Sequence, residues 1–157
     1  MSTSAHVPID AASSRAIENL IARYAELVDD GDFAGVGSLL ADATYRGSGA
    51  PLVGREAIEK WFRDTLIVYS DGTPRTQHVT TNIIVERDER APDTAFARSY
   101  VTVLQALPGQ SPKIIAAGRY RDRFERHDAA WRFAERRVDI RLVGDLSDHL
   151  RQTRPAP

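Results

Sequence analysis

Residues 118–137 read Gly-Arg-Tyr-Arg-Asp-Arg-Phe-Glu-Arg-His-Asp-Ala-Ala-Trp-Arg-Phe-Ala-Glu-Arg-Arg, two alternating runs that meet at a short polar turn. Tyr120, Asp122 and Phe124 share one parity of the first run, and Trp131 and Phe133 share one parity of the second. Side chains on a strand point alternately to opposite faces. The pattern therefore predicts an antiparallel hairpin with one aromatic face and one arginine-rich face.

The N-terminal half has the helical period instead. Ile17, Leu20, Ile21, Tyr24, Leu27 and Val28 recur at helical spacing from Ser13 to Val28. Gly31 suits the stop of that helix, and Asp32 can cap a short second one carrying Phe33, Val36, Leu39 and Leu40. Short strands are expected at 43–46 and 52–53, then a third helix over 55–68 with Ile58, Trp61, Phe62 and Leu66 on one stripe. After the breaker Asp71-Gly72-Thr73-Pro74, strands are expected near 76–87, 94–107, 113–125 and 130–143. Helices first and sheet last favour an α+β fold over an alternating one. Residues 1–12 read as a poorly ordered arm, 13–143 as one domain, and 144–157 as a tail that frays or docks on a partner.

Composition excludes several functions. The chain has 157 residues, 21 basic against 22 acidic, so it lacks the basic excess of a nucleic-acid binder. No cysteine is present, which removes disulfides, thiolate nucleophiles and cysteine metal sites. The four histidines are scattered without metal-ligand spacing, and no phosphate-loop or nucleophile-elbow pattern occurs. No apolar run or leader suggests membrane insertion or export, so a cytoplasmic protein without metal or cofactor is expected. Val79, Ile83, Val85, Val101 and Val103 add apolar positions to a sheet that one helical half cannot cover on both sides. A homodimer or larger assembly burying the outer face is expected.

Four pieces resemble the SnoaL-like branch of the NTF2-like fold, the branch of scytalone dehydratase and ketosteroid isomerase relatives. They are Tyr24-Ala-Glu-Leu-Val-Asp29 with the following Gly-Asp-Phe turn, Leu40-Ala-Asp42 with Val53-Gly-Arg-Glu56, Thr76-Gln-His78 through Asn82, and the closing hairpin. The resemblance covers about residues 13–143. It implies a cone of N-terminal helices on a strongly curved, mixed but mostly antiparallel sheet, and dimers are common among the relatives.

The resemblance also implies a cluster of Tyr24, Asp29 and His78. Their chemistry is coherent. An imidazole accepts a proton near neutrality, and a carboxylate on one ring nitrogen fixes the tautomer and leaves the other free. A tyrosine hydroxyl can donate to a substrate oxygen. The implied activity is a cofactor-independent lyase or isomerase on a small hydrophobic cyclic molecule, with a noncatalytic binding domain or structural subunit as the rival. Trp61, Phe62, Tyr69, Phe96, Tyr100 and Trp131 are candidate pocket walls.

Three alternatives stay open in the residues themselves. Tyr24 shares the apolar stripe of its helix and could be a core aromatic. Strict alternation puts His78 with Thr80, Asn82 and Ile84, opposite Val79, Thr81, Ile83 and Val85, so either the polar face lines the pocket or a bulge changes the parity. Arg136 and Arg137 are both candidates for the cavity. Parity with Trp131 and Phe133 favours Arg137, whereas alignment to the family favours Arg136.

Overall fold

A computed structural model describes residues 6–151. Its elements run β1 (His6–Pro8), α1 (Ala11–Asp29), α2 (Phe33–Leu39), β2 (Thr44–Arg46), β3 (Leu52–Val53), α3 (Arg55–Thr65), β4 (Thr76–Asp88), β5 (Thr94–Gln105), β6 (Lys113–His127) and β7 (Ala130–Val143). One seven-stranded sheet has the order β1-β4-β5-β6-β7-β2-β3, and only the β2–β7 pair is parallel. This is the helix-lined, curved-sheet α+β cone. No helix among the described residues is long and apolar enough to cross a membrane.

The arm expected at residues 1–12 is partly ordered. Residues 6–8 add an edge strand to β4, with His6 opposite Asp88, and Asp10 caps α1 by accepting from the Ser13 N–H at 2.9 Å. Residues 1–5 lie outside the described part. The tail also differs from expectation: residues 145–151 fold back on the chain's own domain through the bridge Leu66–Leu150 and the bond from the Arg151 N–H to the Thr65 carbonyl at 2.8 Å. Residues 152–157 lie outside the described part.

Bulges decide which residues line the cone. The β6–β7 register shifts between Arg123 and Phe124, leaving Ala134 as an extra residue on β7. One inserted residue reverses all later parity. Phe133 and Arg136 therefore both point inward, at 1% and 0% exposure, and Arg137 points out. Arg137 is thus corrected as a pocket candidate. Simple alternation chose it because the bulge has no signature in the sequence.

On β4, His78 pairs with Val103 and Thr80 with Val101, both buried inside the cone. The more polar face of this strand is the inner one at its start. A second shift follows between Thr81 and Ile84, where Asn82 adopts a φ of 54°. Beyond it Ile83 and Val85 pack against the core. Of the apolar set expected on the outer face, Ile83, Val85, Val101 and Val103 therefore face inward. The exposed large apolar side chains of the sheet are instead Val53, Ile84, Tyr100, Ile114, Ile140, Leu142 and Val143.

Candidate active site

The last residue of α1 is Asp29, where a carboxylate is disfavoured by the helix dipole. It is held by three donors. His78 Nδ1 lies 2.6 Å from Oδ1, the Thr76 hydroxyl donates to Oδ1 at 2.8 Å, and the His78 backbone N–H donates to Oδ2 at 2.7 Å. The alternation of β4 places Thr76 and His78 on the same face, so one carboxylate can bind both. Gly31 brings the parts together: its φ is 72°, and a Cβ there would stand 2.2 Å from the Gly72 carbonyl oxygen. The turn after α1 thus nests on the loop that leads into β4.

With Nδ1 donating to a carboxylate, Nε2 of His78 is the ring's acceptor, and it makes no hydrogen bond among the described residues. His78 and Asp29 line a groove of about 310 Å³ between α1 and β4, together with Glu18, Ile21, Ala25 and Ile83. An imidazole held in this way can chemically serve as a proton acceptor, with the carboxylate fixing its tautomer.

Tyr24 does not join this pair. Its ring is 3% exposed, its hydroxyl lies 3.5 Å from that of Tyr45, and its edge packs on Phe62 and Tyr120. Burial raises its pKa, and the charge of Arg136 opposes that rise. Tyr24 is the core aromatic that its helical stripe allowed, and the role of substrate donor is corrected.

Behind it lies a feature sequence reasoning missed. Arg136 is fully buried and donates from Nε and Nη2 to the two oxygens of Asp122 at 2.9 and 2.8 Å. Its guanidinium is sandwiched between Tyr24 and Tyr120, 4.1 and 4.0 Å from their ring centroids, with Phe133 at 4.9 Å. Burial raises the Asp122 carboxyl, and the guanidinium holds it down. Burial alone would lower Arg136, but the Asp122 carboxylate outweighs this and keeps it a cation. Of the two arginine candidates Arg136 enters the cone, yet its charge is spent on Asp122 and the rings. The signal for Asp122 was present: an acid on the aromatic parity of the hairpin.

The wall candidates divide. Phe62 is buried against Tyr24, Phe33, Tyr45 and Trp61, and Trp61 rests on Tyr45, so both fill the helical side of the core. Trp131 is buried near the hairpin tip beneath Arg126. Tyr69 lies on the segment between α3 and β4, donating to the Asp148 carbonyl at 2.6 Å. Phe96 and Tyr100 are not wall residues. Their neighbours Ala95, Ala97, Ser99 and Val101 point inward, so Phe96 stacks on His6 outside and Tyr100 packs under Arg119.

His149 is the second missed residue. Burial pushes its imidazole down to about 4, helped by the charge of His78 and opposed by Asp29. Its folded value lies below the ordinary 6.5 of a free imidazole. Its contribution to stability is therefore intact above the unfolded value. It is lost as pH falls toward the folded one, because the unfolded chain binds a proton that the folded chain refuses. In urea unfolding, wild type should lose more stability between about pH 7 and pH 4.5 than His149→Phe does. Equal losses would remove this assignment.

A curved sheet wrapped on three helices, with a His–Asp pair at the start of β4, defines an NTF2-like cone protein. The chain belongs to the SnoaL-like domain family, whose profile matches residues 10–137. Among solved structures it is similar to a Mycobacterium tuberculosis protein of unknown function, at 27% identity and TM-score 0.67 over 83% of this chain and 72% of that one. An NTF2-like protein with a cystatin-like fold from Novosphingobium aromaticivorans also matches, at 27% identity and TM-score 0.63 over 83% and 86%. A provisionally named scytalone dehydratase from the same organism shares the fold at 23% identity and TM-score 0.66, over 85% and 87%. No curated protein matches the chain.

Proposed function

We propose that the protein is a lyase or isomerase that removes a carbon-bound proton from a small hydrophobic cyclic molecule, with His78 as the base and Asp29 as its orienting partner. The observation that carries the reading is the 2.6 Å contact between His78 Nδ1 and Asp29 on a groove, with the opposite ring nitrogen making no hydrogen bond among the described residues. Asp29 stabilises the imidazolium that proton abstraction creates, and this chemistry asks for neither metal nor cofactor. Membership in a fold family that includes dehydratases and isomerases agrees with it.

The test is turnover of a panel of cyclic ketones and β-hydroxy ketones, followed by solvent deuterium exchange and by loss of water. His78→Ala should reduce the rate on any accepted compound by about 10²–10⁴. Unchanged turnover in that variant rejects the assignment. A second reading, a noncatalytic ligand-binding domain, is favoured by the centre of the cone, which Tyr24, Tyr45, Tyr120 and Arg136 fill with their own side chains. Binding of panel members without exchange or elimination would select it.

A further inference from the structure

The arginine-rich face of the closing hairpin has no part in the His78–Asp29 chemistry, and the sheet gathers it at one place. On the outer side Arg46 of β2 lies opposite Arg137 of β7, and Arg137 lies opposite Arg121 of β6. The three stand in a row on adjacent strands, about 4.8 Å apart at the backbone. Like charges directly opposite one another destabilise a sheet. The extra residue Ala134 creates the row, because it turns Arg136 inward and Arg137 outward.

The row borders a cleft of about 600 Å³, lined by Arg46, Arg121, Arg137 and Arg141 and by one carboxylate, Asp139, with the loop after β2 as part of its wall. A cleft of that size accommodates a small organic molecule. The acids within reach are already engaged. Arg141 holds Asp139 at 2.8 Å, and Glu135 is shared by Arg46 at 2.9 Å and Arg137 at 3.6 Å. Arg121 makes no hydrogen bond, ion pair or ring contact among the described residues. Its neighbours on the same face of β6 do: Arg119 donates to the Tyr100 hydroxyl at 3.0 Å, and Arg123 pairs with Glu125. Arg98, opposite Arg121 on β5, is tied to Glu86 at 2.7 Å.

We propose that this cleft binds the phosphate or diphosphate group of a small organic anion, at a site separate from the His78–Asp29 groove. The two share no lining residue. A guanidinium presents parallel N–H donors that match a phosphate edge, and its charge does not titrate away. A phosphoryl group brings about two negative charges and three acceptor oxygens near neutrality, which suits a row of arginines better than a lone carboxylate does. Arg121 and Arg137 supply the central contacts, and the bound anion offsets the repulsion built into the row. A second copy of the chain is a poorer occupant, since a twofold contact centred here would set arginines against arginines.

Pyrophosphate is the probe, titrated at constant ionic strength, with calorimetry for affinity and backbone amide NMR for location. Saturable binding should shift the amides of Gly47, Arg121 and Arg137 and leave those of Asp29 and His78 in place. Arg121→Gln should weaken binding roughly tenfold or more, and Arg121→Lys should recover part of the loss. Arg98→Gln, on the same row but outside the cleft, should change affinity by less than about twofold. Arg121→Gln should not lower the urea midpoint, because it removes a like-charge contact. Equal weakening by Arg98→Gln would reveal a diffuse surface field and overturn the site, as would the absence of saturable binding at millimolar pyrophosphate. A lowered midpoint would give Arg121 a structural role in place of a binding one. Loss of a dimer in Arg121→Gln, seen by sedimentation without pyrophosphate binding, would make the face a subunit contact and also sink the proposal.

Discussion

Asp122→Ala should lower the unfolding free energy by about 3–5 kcal/mol, the cost of leaving one charge of a buried pair uncompensated. Among the described residues Arg136 has no other carboxylate: its hydrogen bonds go to Asp122, and Nη1 already lies buried without a partner there. The tyrosine faces attract the cation, but ring contacts of this kind contribute only about 0.5–2 kcal/mol and do not replace a bidentate carboxylate. The guanidinium would have to be desolvated alone, or drag water into the cone. Replacing both partners together, Asp122→Leu with Arg136→Met, should recover a large part of the loss, since no charge then remains to be buried. Urea unfolding of the two single variants and the double one measures this. A single Asp122→Ala loss below about 1 kcal/mol would show that the pair is not buried as described.

Asp29→Asn should reduce turnover by about 10²–10⁴ while leaving the fold intact. The amide oxygen at the Oδ2 position can still accept from the His78 backbone N–H, a bond that ties α1 to β4, which puts the NH₂ at the Oδ1 position facing Nδ1. What changes is the ring. An amide NH₂ facing Nδ1 donates instead of accepting, which moves the imidazole proton to Nε2 and removes the acceptor a base needs. Rate constants on the substrate identified by the panel, with a melting curve alongside, separate this from unfolding. A normal rate in a folded Asp29→Asn protein would mean that the carboxylate does not set the tautomer used in the reaction.

Much of this architecture is legible in the chain because its signals are local. The stripe of Ile17, Ile21, Tyr24 and Val28 fixes the buried face of α1, and the alternation of Tyr120, Asp122 and Phe124 fixes the inner face of β6. The order of helices and strands, and the resemblance built on it, carried Asp29 and His78 to the same place before any coordinates. The misplaced residues have more than one cause. Arg137 was placed by strict alternation, which the extra residue Ala134 on β7 reversed, and an extra residue between Thr81 and Ile84 turned Ile83 and Val85 inward on β4. Val101 and Val103 face inward by the regular alternation of β5 itself. Phe96 and Tyr100 were chosen as aromatics without their parity, which sends both outside.

Periodicity and residue type determined the helices and the strands, because each depends on neighbours a few positions away, whereas the pairing of an imidazole with a carboxylate was implied by the family resemblance. Only the tertiary structure decided that Arg136 is consumed by Asp122 between two tyrosines, that Tyr24 is sealed away, and that the C-terminal segment folds back on the domain and buries His149. Those outcomes depend on where bulges fall and where a chain end docks. Both are set by the fit of surfaces distant in sequence.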